Sequence, residues 1–254
     1  MGLFSLSKIF SKTAAPPVLQ TSHIYVVTAI YQNENITTLR YNTTICRMIV
    51  GDNGSDYFQV NRSEMTVNDE PASDHLASDL AAQCGSVMWP LQIQTAEDGS
   101  ITGIYNHPEI VKRWEEKKIQ LLQYFTGAEA RSYISATEQT LLQPAAFLEA
   151  VKQDLLLITW CSLMRAGQRN TFSAAYPVQP FEPPVNFLVT AQRTPAGQIL
   201  QTGQPAQDAP EGHMEIKAVQ LHPPGFLQRL EGVWTQGNYK VTLRAINISD
   251  EHQQ

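Results

Sequence analysis

Asn106-His107-Pro108-Glu109-Ile110-Val111-Lys112-Arg113-Trp114 is the stretch in which the hydrophobic pattern of the chain changes period. Before it, apolar and β-branched residues tend to alternate; after it, they recur every three or four positions. An Asn at the cap position, a Pro in the first turn and an acid beside the positive helix end together announce a helix. Val111, Trp114, Leu121, Leu122 and Phe125 form its apolar side, and Glu109 and Arg113 make an i,i+4 pair. The helix is expected to run to about Thr126, where Gly127 ends it. Residues 128–142 read as a second helix, and Pro144 opens a third that reaches about Ala166. This third helix is apolar on most of its circumference, so it is expected to be buried against the concave face of a sheet.

On the N-terminal side, residues 23–32 and 36–50 are rich in Val, Ile, Thr and Tyr and read as two strands joined at Asn33–Asn35. A third strand is expected at 57–66, a short helix at 73–83, and a hairpin formed by 88–95 and 101–106 across Asp98-Gly99. On the C-terminal side, nine of the fifteen prolines fall within 177–224, which predicts short regular elements there. Strands are still legible at 185–193 and 213–221, and a final hairpin at 232–236 and 239–247 turns at Gly237-Asn238. The order of strands, then helices, then strands defines an α+β fold: an antiparallel β meander, a three-helix insert with one long buried helix, and further antiparallel strands. The expected organisation is an amphipathic segment and Pro linker over 1–17, followed by a single domain over 18–250. Within it, strands occupy 20–106, helices 107–166, and Pro-rich loops and strands 170–250.

Charged residues are 17% of the 254, against about 25% in typical soluble chains, and 23 glutamines help fill the difference. The formal charge of −6 lacks the cation excess that phosphate-backbone binding requires, so nucleic acid is not an expected partner. Glu149, Lys152 and Asp154 interrupt the most apolar stretch, 145–164, and no transmembrane helix is read there. Cys46, Cys84 and Cys161 match no disulfide framework or zinc spacing and read as reduced, mostly buried thiols. Five sequons, at Asn35, Asn42, Asn53, Asn61 and Asn247, would matter only in a secretory compartment. Ser5, Ser7, Lys8, Ser11 and Lys12 break up any signal-like apolar run, and a cytoplasmic location is expected. In the first fifteen residues Leu3, Leu6, Ile9 and Phe10 share one helical stripe, with Phe4 off it and Lys8 and Lys12 outside it. Those five apolar residues are the candidate for docking on a partner or a membrane surface.

The chain carries no Walker loop, no G-x-G-x-x-G and no G-x-S-x-G elbow. No two of its six histidines lie at i,i+2 or i,i+4, and neither a metal nor another cofactor is expected. Asp74-His75 with Asp79 sets a His between carboxylates; a hydrolase would need Asp74, His75 and Ser86 within hydrogen-bond reach. The plainer reading of that stretch is a helix start capped by Ser73 or Asp74. Residues 52–56 place oxygen-bearing side chains at a turn that could hold calcium, but they lack a distal bidentate Glu.

Asp154 is the most informative polar residue, because Val151, Ile158 and Cys161 at i−3, i+4 and i+7 put it on an apolar stripe. A carboxylate there needs a partner, expected from a facing strand, with Arg47 or Lys240 as candidates. Asp154, Trp160 and Trp89 are the candidate lining of a cavity. Taken together, the residues point first to a non-catalytic interaction protein, a subunit or adaptor with a protein partner or a second copy of itself. The next reading is a protein holding an apolar small molecule or lipid between the sheet and the 144–166 helix, and the third is a hydrolase.

Overall fold

The computed structural model describes residues 18–49, 56–164, 170–180, 182–206, 211–221 and 226–249. The first meander comprises β1 (Val18–Gln32), β2 (Ile36–Ile49), β3 (Asp56–Val67), the two-residue β4 (Glu70–Pro71), β5 (Leu91–Thr95) and β6 (Ile101–Ile104). Helix α1 (Leu76–Ser86) lies between β4 and β5. Four helices follow: α2 (His107–Tyr124), α3 (Ala128–Leu142), α4 (Pro144–Val151) and α5 (Leu155–Met164). The second meander is β7 (Thr171–Tyr176), β8 (Val185–Arg193), β9 (Gln198–Pro205), β10 (Gly212–Gln220), β11 (Leu227–Gln236) and β12 (Tyr239–Asn247). The fold is α+β with antiparallel strands.

Both meanders belong to one sheet, in the order β6-β5-β3-β2-β1-β12-β11-β10-β9-β8-β7, with β4 beside β3. The first strand and the last join them, from Tyr25 opposite Asn247 to Gln32 opposite Lys240. Positive φ at Gly99 (83°) and Gly237 (57°) makes the β5–β6 and β11–β12 turns possible, as their sequence pairs indicate. Along β8, buried and exposed residues alternate from Val185 to Thr190, so one face of the sheet is inside.

The sheet is strongly curled. The rings of Tyr176 on β7 and Trp234 on β11 lie 5.5 Å apart, whereas strands four steps apart in a flat sheet are separated by roughly 19 Å. Helix α5 fills the interior, with seven of its ten residues buried. Its Trp160 meets Phe58 of β3 edge-on at 4.9 Å and Phe226, just ahead of β11, at 6.0 Å. One apolar cluster therefore includes residues of both meanders and of the helices.

Several expectations need correction. The third helix is not continuous: α4 stops at Val151, a tight turn follows, and α5 begins at Leu155. Asp154 causes the break, because its carboxylate caps a new helix instead of continuing the old one. Asn106 stands at the cap position of α2 as expected, but its side chain makes no capping hydrogen bond: its Oδ1 accepts the Gln92 N–H and its Nδ2 donates to the Pro90 carbonyl. Neither Ser73 nor Asp74 caps α1, whose cap position is His75. Strands in the proline-rich region reach eight and nine residues, because its prolines fall between strands or, as Pro205 does, at a strand end. The short strand β7 and the Gln-rich β9 went unread. The docking candidates Leu3, Phe4, Leu6, Ile9 and Phe10, and most of the turn at 52–56, lie outside the described residues.

Candidate functional site

The break between α4 and α5 is the chemically distinctive place in the fold. Residues Lys152 and Gln153 form a turn, and Asp154 follows as the residue before α5. Its Oδ1 accepts the N–H of Leu157 at 3.0 Å, which satisfies one free donor of the new helix and sets a negative charge at its positive end. Its Oδ2 accepts a hydrogen bond from Arg62 Nη2 at 2.6 Å. The facing-strand partner expected for Asp154 is thus real, but it is Arg62 of β3. Arg47 pairs with Asp56 instead.

Arg62 stands on the inner face of the sheet because strand parity puts it there. Phe58 and Val60 on the same strand are buried, and Arg62 lies opposite the buried Thr43 of β2. Tyr41, two residues along β2 from Thr43, presents its ring 4.1 Å from the guanidinium carbon. Trp89 covers it with its ring at 4.6 Å. A guanidinium between two aromatic faces gains cation–π attraction and is shielded from water. Its Nε is buried without a hydrogen-bond partner. Burial opposes the charge on Arg62, but the Asp154 carboxylate together with the Tyr41 and Tyr31 phenols more than offsets that cost, and the guanidinium holds its proton more firmly than usual.

Trp89 is positioned by side chains from α2 and its entry. Arg113 Nε donates to the Val87 carbonyl at 2.8 Å, Arg113 Nη2 donates to Pro90 O at 3.1 Å, and Asn106 Nδ2 donates to Pro90 O at 2.8 Å. Arg113 thus directs its fork at the 87–90 segment; Glu109, its expected i,i+4 partner, forms no direct ion pair with it but favours its charge against the effect of burial. Tyr31 and Tyr41 complete the surroundings. Burial and the Asp154 charge raise the Tyr31 phenol pKa while Arg62 works against them; burial likewise raises that of Tyr41, again opposed by Arg62.

Two cavities adjoin this cluster and share Gln153 as a wall. The smaller, about 220 Å³, is lined by Asp154 together with apolar Met88, Trp89, Leu91 and Leu157. The larger, about 590 Å³, lies between Tyr31 and Leu39 beside the β1–β2 turn and Pro177, Gln179 and Pro180 beyond β7. The curl of the sheet brings those two segments together. Asp154 and Trp89, both named from sequence, therefore line one cavity. Trp160 lines neither; it is 1% exposed and packed in the core.

The hydrolase constellation is not assembled. His75 and Ser86 stand at opposite ends of α1, roughly 16 Å apart along a helix of this length. His75 Nε2 bonds Glu70 Oε2 at 2.8 Å, and Ser86 Oγ donates to the Gln83 carbonyl. Among the described residues, no group of three or more His, Cys, Asp or Glu could hold a metal ion, and no helix is long and apolar enough to cross a membrane.

Arg62 was missed by sequence reading although its signal was present: period two through Phe58, Val60 and Arg62 sets it on the apolar face of a strand. No protein-family model matches the chain, and no curated protein matches it.

Proposed function

We propose that this is a non-catalytic binding protein that holds a small, neutral, largely apolar molecule with a hydrogen-bond donor, in the groove at the α4–α5 break. The observation that carries this reading is Asp154, fixed by Arg62 on one oxygen and by the α5 backbone on the other, within a cavity wall that is apolar apart from Asp154 itself and Gln153. A carboxylate oxygen has a second lone pair, so each can still accept a donor from a ligand. The cavity that Asp154 lines is about 220 Å³, and the one that shares its Gln153 wall, about 590 Å³, falls within the roughly 300–1,000 Å³ range of small-molecule sites. Three free, buried thiols support a reducing, cytoplasmic setting.

Titration with N-phenyl-1-naphthylamine, a neutral arylamine with one N–H donor, tests the reading through the probe's own fluorescence. Saturable binding to the wild type is expected, weakened at least about tenfold in Gln153→Trp, which fills the shared wall from an exposed position. No binding to the wild type, or equal affinity in the variant, would refute it.

A second reading, a subunit or adaptor working through its surface, is supported by Ile119 and Leu122 on α2. They lie one turn apart and are 62% and 39% exposed. If the double variant Ile119→Glu, Leu122→Glu keeps the wild-type assembly state and partners, α2 has no part in such contacts.

A further inference from the structure

Strand β7 is one edge of the sheet and β6 the other. The Asn170 carbonyl accepts the Ala191 N–H at 2.8 Å, and the pairing continues from Thr171 opposite Thr190 to Tyr176 opposite Val185 without a register shift. Bonded and non-bonded pairs alternate in an antiparallel ladder. Phe172, Ala174 and Tyr176 therefore bond to β8, while Thr171, Ser173 and Ala175 turn their N–H and C=O groups away from the sheet. None of these outward groups has a partner among the described residues.

Natural edges are normally protected by a charge, a proline, a bulge or extreme shortness. The β6 edge has two of these devices, since it is four residues long and its pairing with β5 shifts register. Strand β7 has none, and no charged residue occurs from Asn170 to Pro180.

We propose that β7 pairs antiparallel with β7 of a second copy of this chain, across a two-fold axis through Ser173, so that the sheet continues from one protomer into the next. In this register Thr171 faces Ala175 of the second copy, and the two Ser173 residues face each other. Every outward donor of β7 is then used. The next outward position is Pro177, which has no N–H, so the pairing stops there. An uncharged edge with small Thr171, Ser173 and Ala175 side chains meets neither like charge nor bulk in its own copy, as an isologous contact requires. On the core side, half-buried Phe172 faces Ala174 of the second copy, a close non-bonded pair that extends the apolar layer across the axis. This inference stands independently of the ligand groove.

Sedimentation velocity of the full chain tests it with three variants. Ser173→Pro removes an N–H that β8 does not use and leaves the β7–β8 ladder intact. Ser173→Asp sets two carboxylates opposite each other on the axis, and Ser173→Lys supplies the complement. The wild type is expected to sediment as a dimer, and Ser173→Pro and Ser173→Asp to self-associate at least about tenfold more weakly with unchanged circular dichroism. Mixing Ser173→Asp with Ser173→Lys should restore the dimer. A monomeric wild type, or a dimer that Ser173→Asp leaves as tight as before, would overturn the proposal; if Ser173→Pro misfolds, the Asp and Lys variants still decide.

Discussion

Arg62 on β3 and Asp154 at the start of α5 share a hydrogen bond of 2.6 Å, and their side chains are only 16% and 18% exposed. The pair ties the first meander to the helix that fills the curled sheet. Removing one member leaves its partner charged in poorly hydrated surroundings. Asp154→Asn, which keeps a capping oxygen but not the charge, is expected to cost roughly 2–4 kcal/mol in urea unfolding. The double variant Arg62→Met, Asp154→Asn should cost less than the sum of its parts, because no uncompensated charge remains. A fully additive result would mean that the two residues do not act on each other.

Gly232 is where the β11 backbone makes room for the Trp234 ring. A Cβ at 232 would lie 2.3 Å from the outer ring carbon of Trp234, which is fully buried. Gly232→Ala is expected to lower stability by about 1–3 kcal/mol and to alter the near-ultraviolet circular dichroism of the tryptophans.

Gln201 on β9 is fully buried, and neither its amide nitrogen nor its oxygen has a hydrogen-bond partner. Burying an unsatisfied amide is costly, and an apolar side chain of similar length removes that penalty. Gln201→Met is expected to raise stability by about 1 kcal/mol, measurable as a higher urea midpoint at unchanged m-value.

Cys161 shapes the alkaline limb of the stability profile. Burial, with the Asp154 charge, pushes its pKa from 9.0 up to about 12. The unfolded chain gives up this proton near pH 9 and the folded chain only near pH 12. The corresponding stability is intact below pH 9 and lost as pH rises from 9 to 12. Thermal melts across that window should show a steeper decline for the wild type than for Cys161→Ala. Parallel curves would assign the alkaline limb to the buried tyrosines.

The placement of most strands and helices, β7 and β9 excepted, was legible because period-two and period-three-to-four patterning follows directly from backbone geometry, and the hairpin turns at Gly99 and Gly237 were legible from the positive φ they require. The break at Asp154 was harder to see. Its helical neighbours are apolar, so periodicity runs straight through it, and only the competition between capping and continuing the helix decides the outcome. Asp154 was recognisable as a residue in need of a partner, but choosing Arg62 over Arg47 or Lys240 depends on strand parity and pairing register. The cavity beside Tyr31 could not be read at all, because it exists only where the curl carries the segment after β7 back over the β1–β2 turn.

Native mass spectrometry of the wild type and Gln153→Trp, each with excess N-phenyl-1-naphthylamine, tests the binding groove most directly. One bound molecule per wild-type chain and a bare variant are expected. A bare wild-type chain, or equal loading of both, would contradict it.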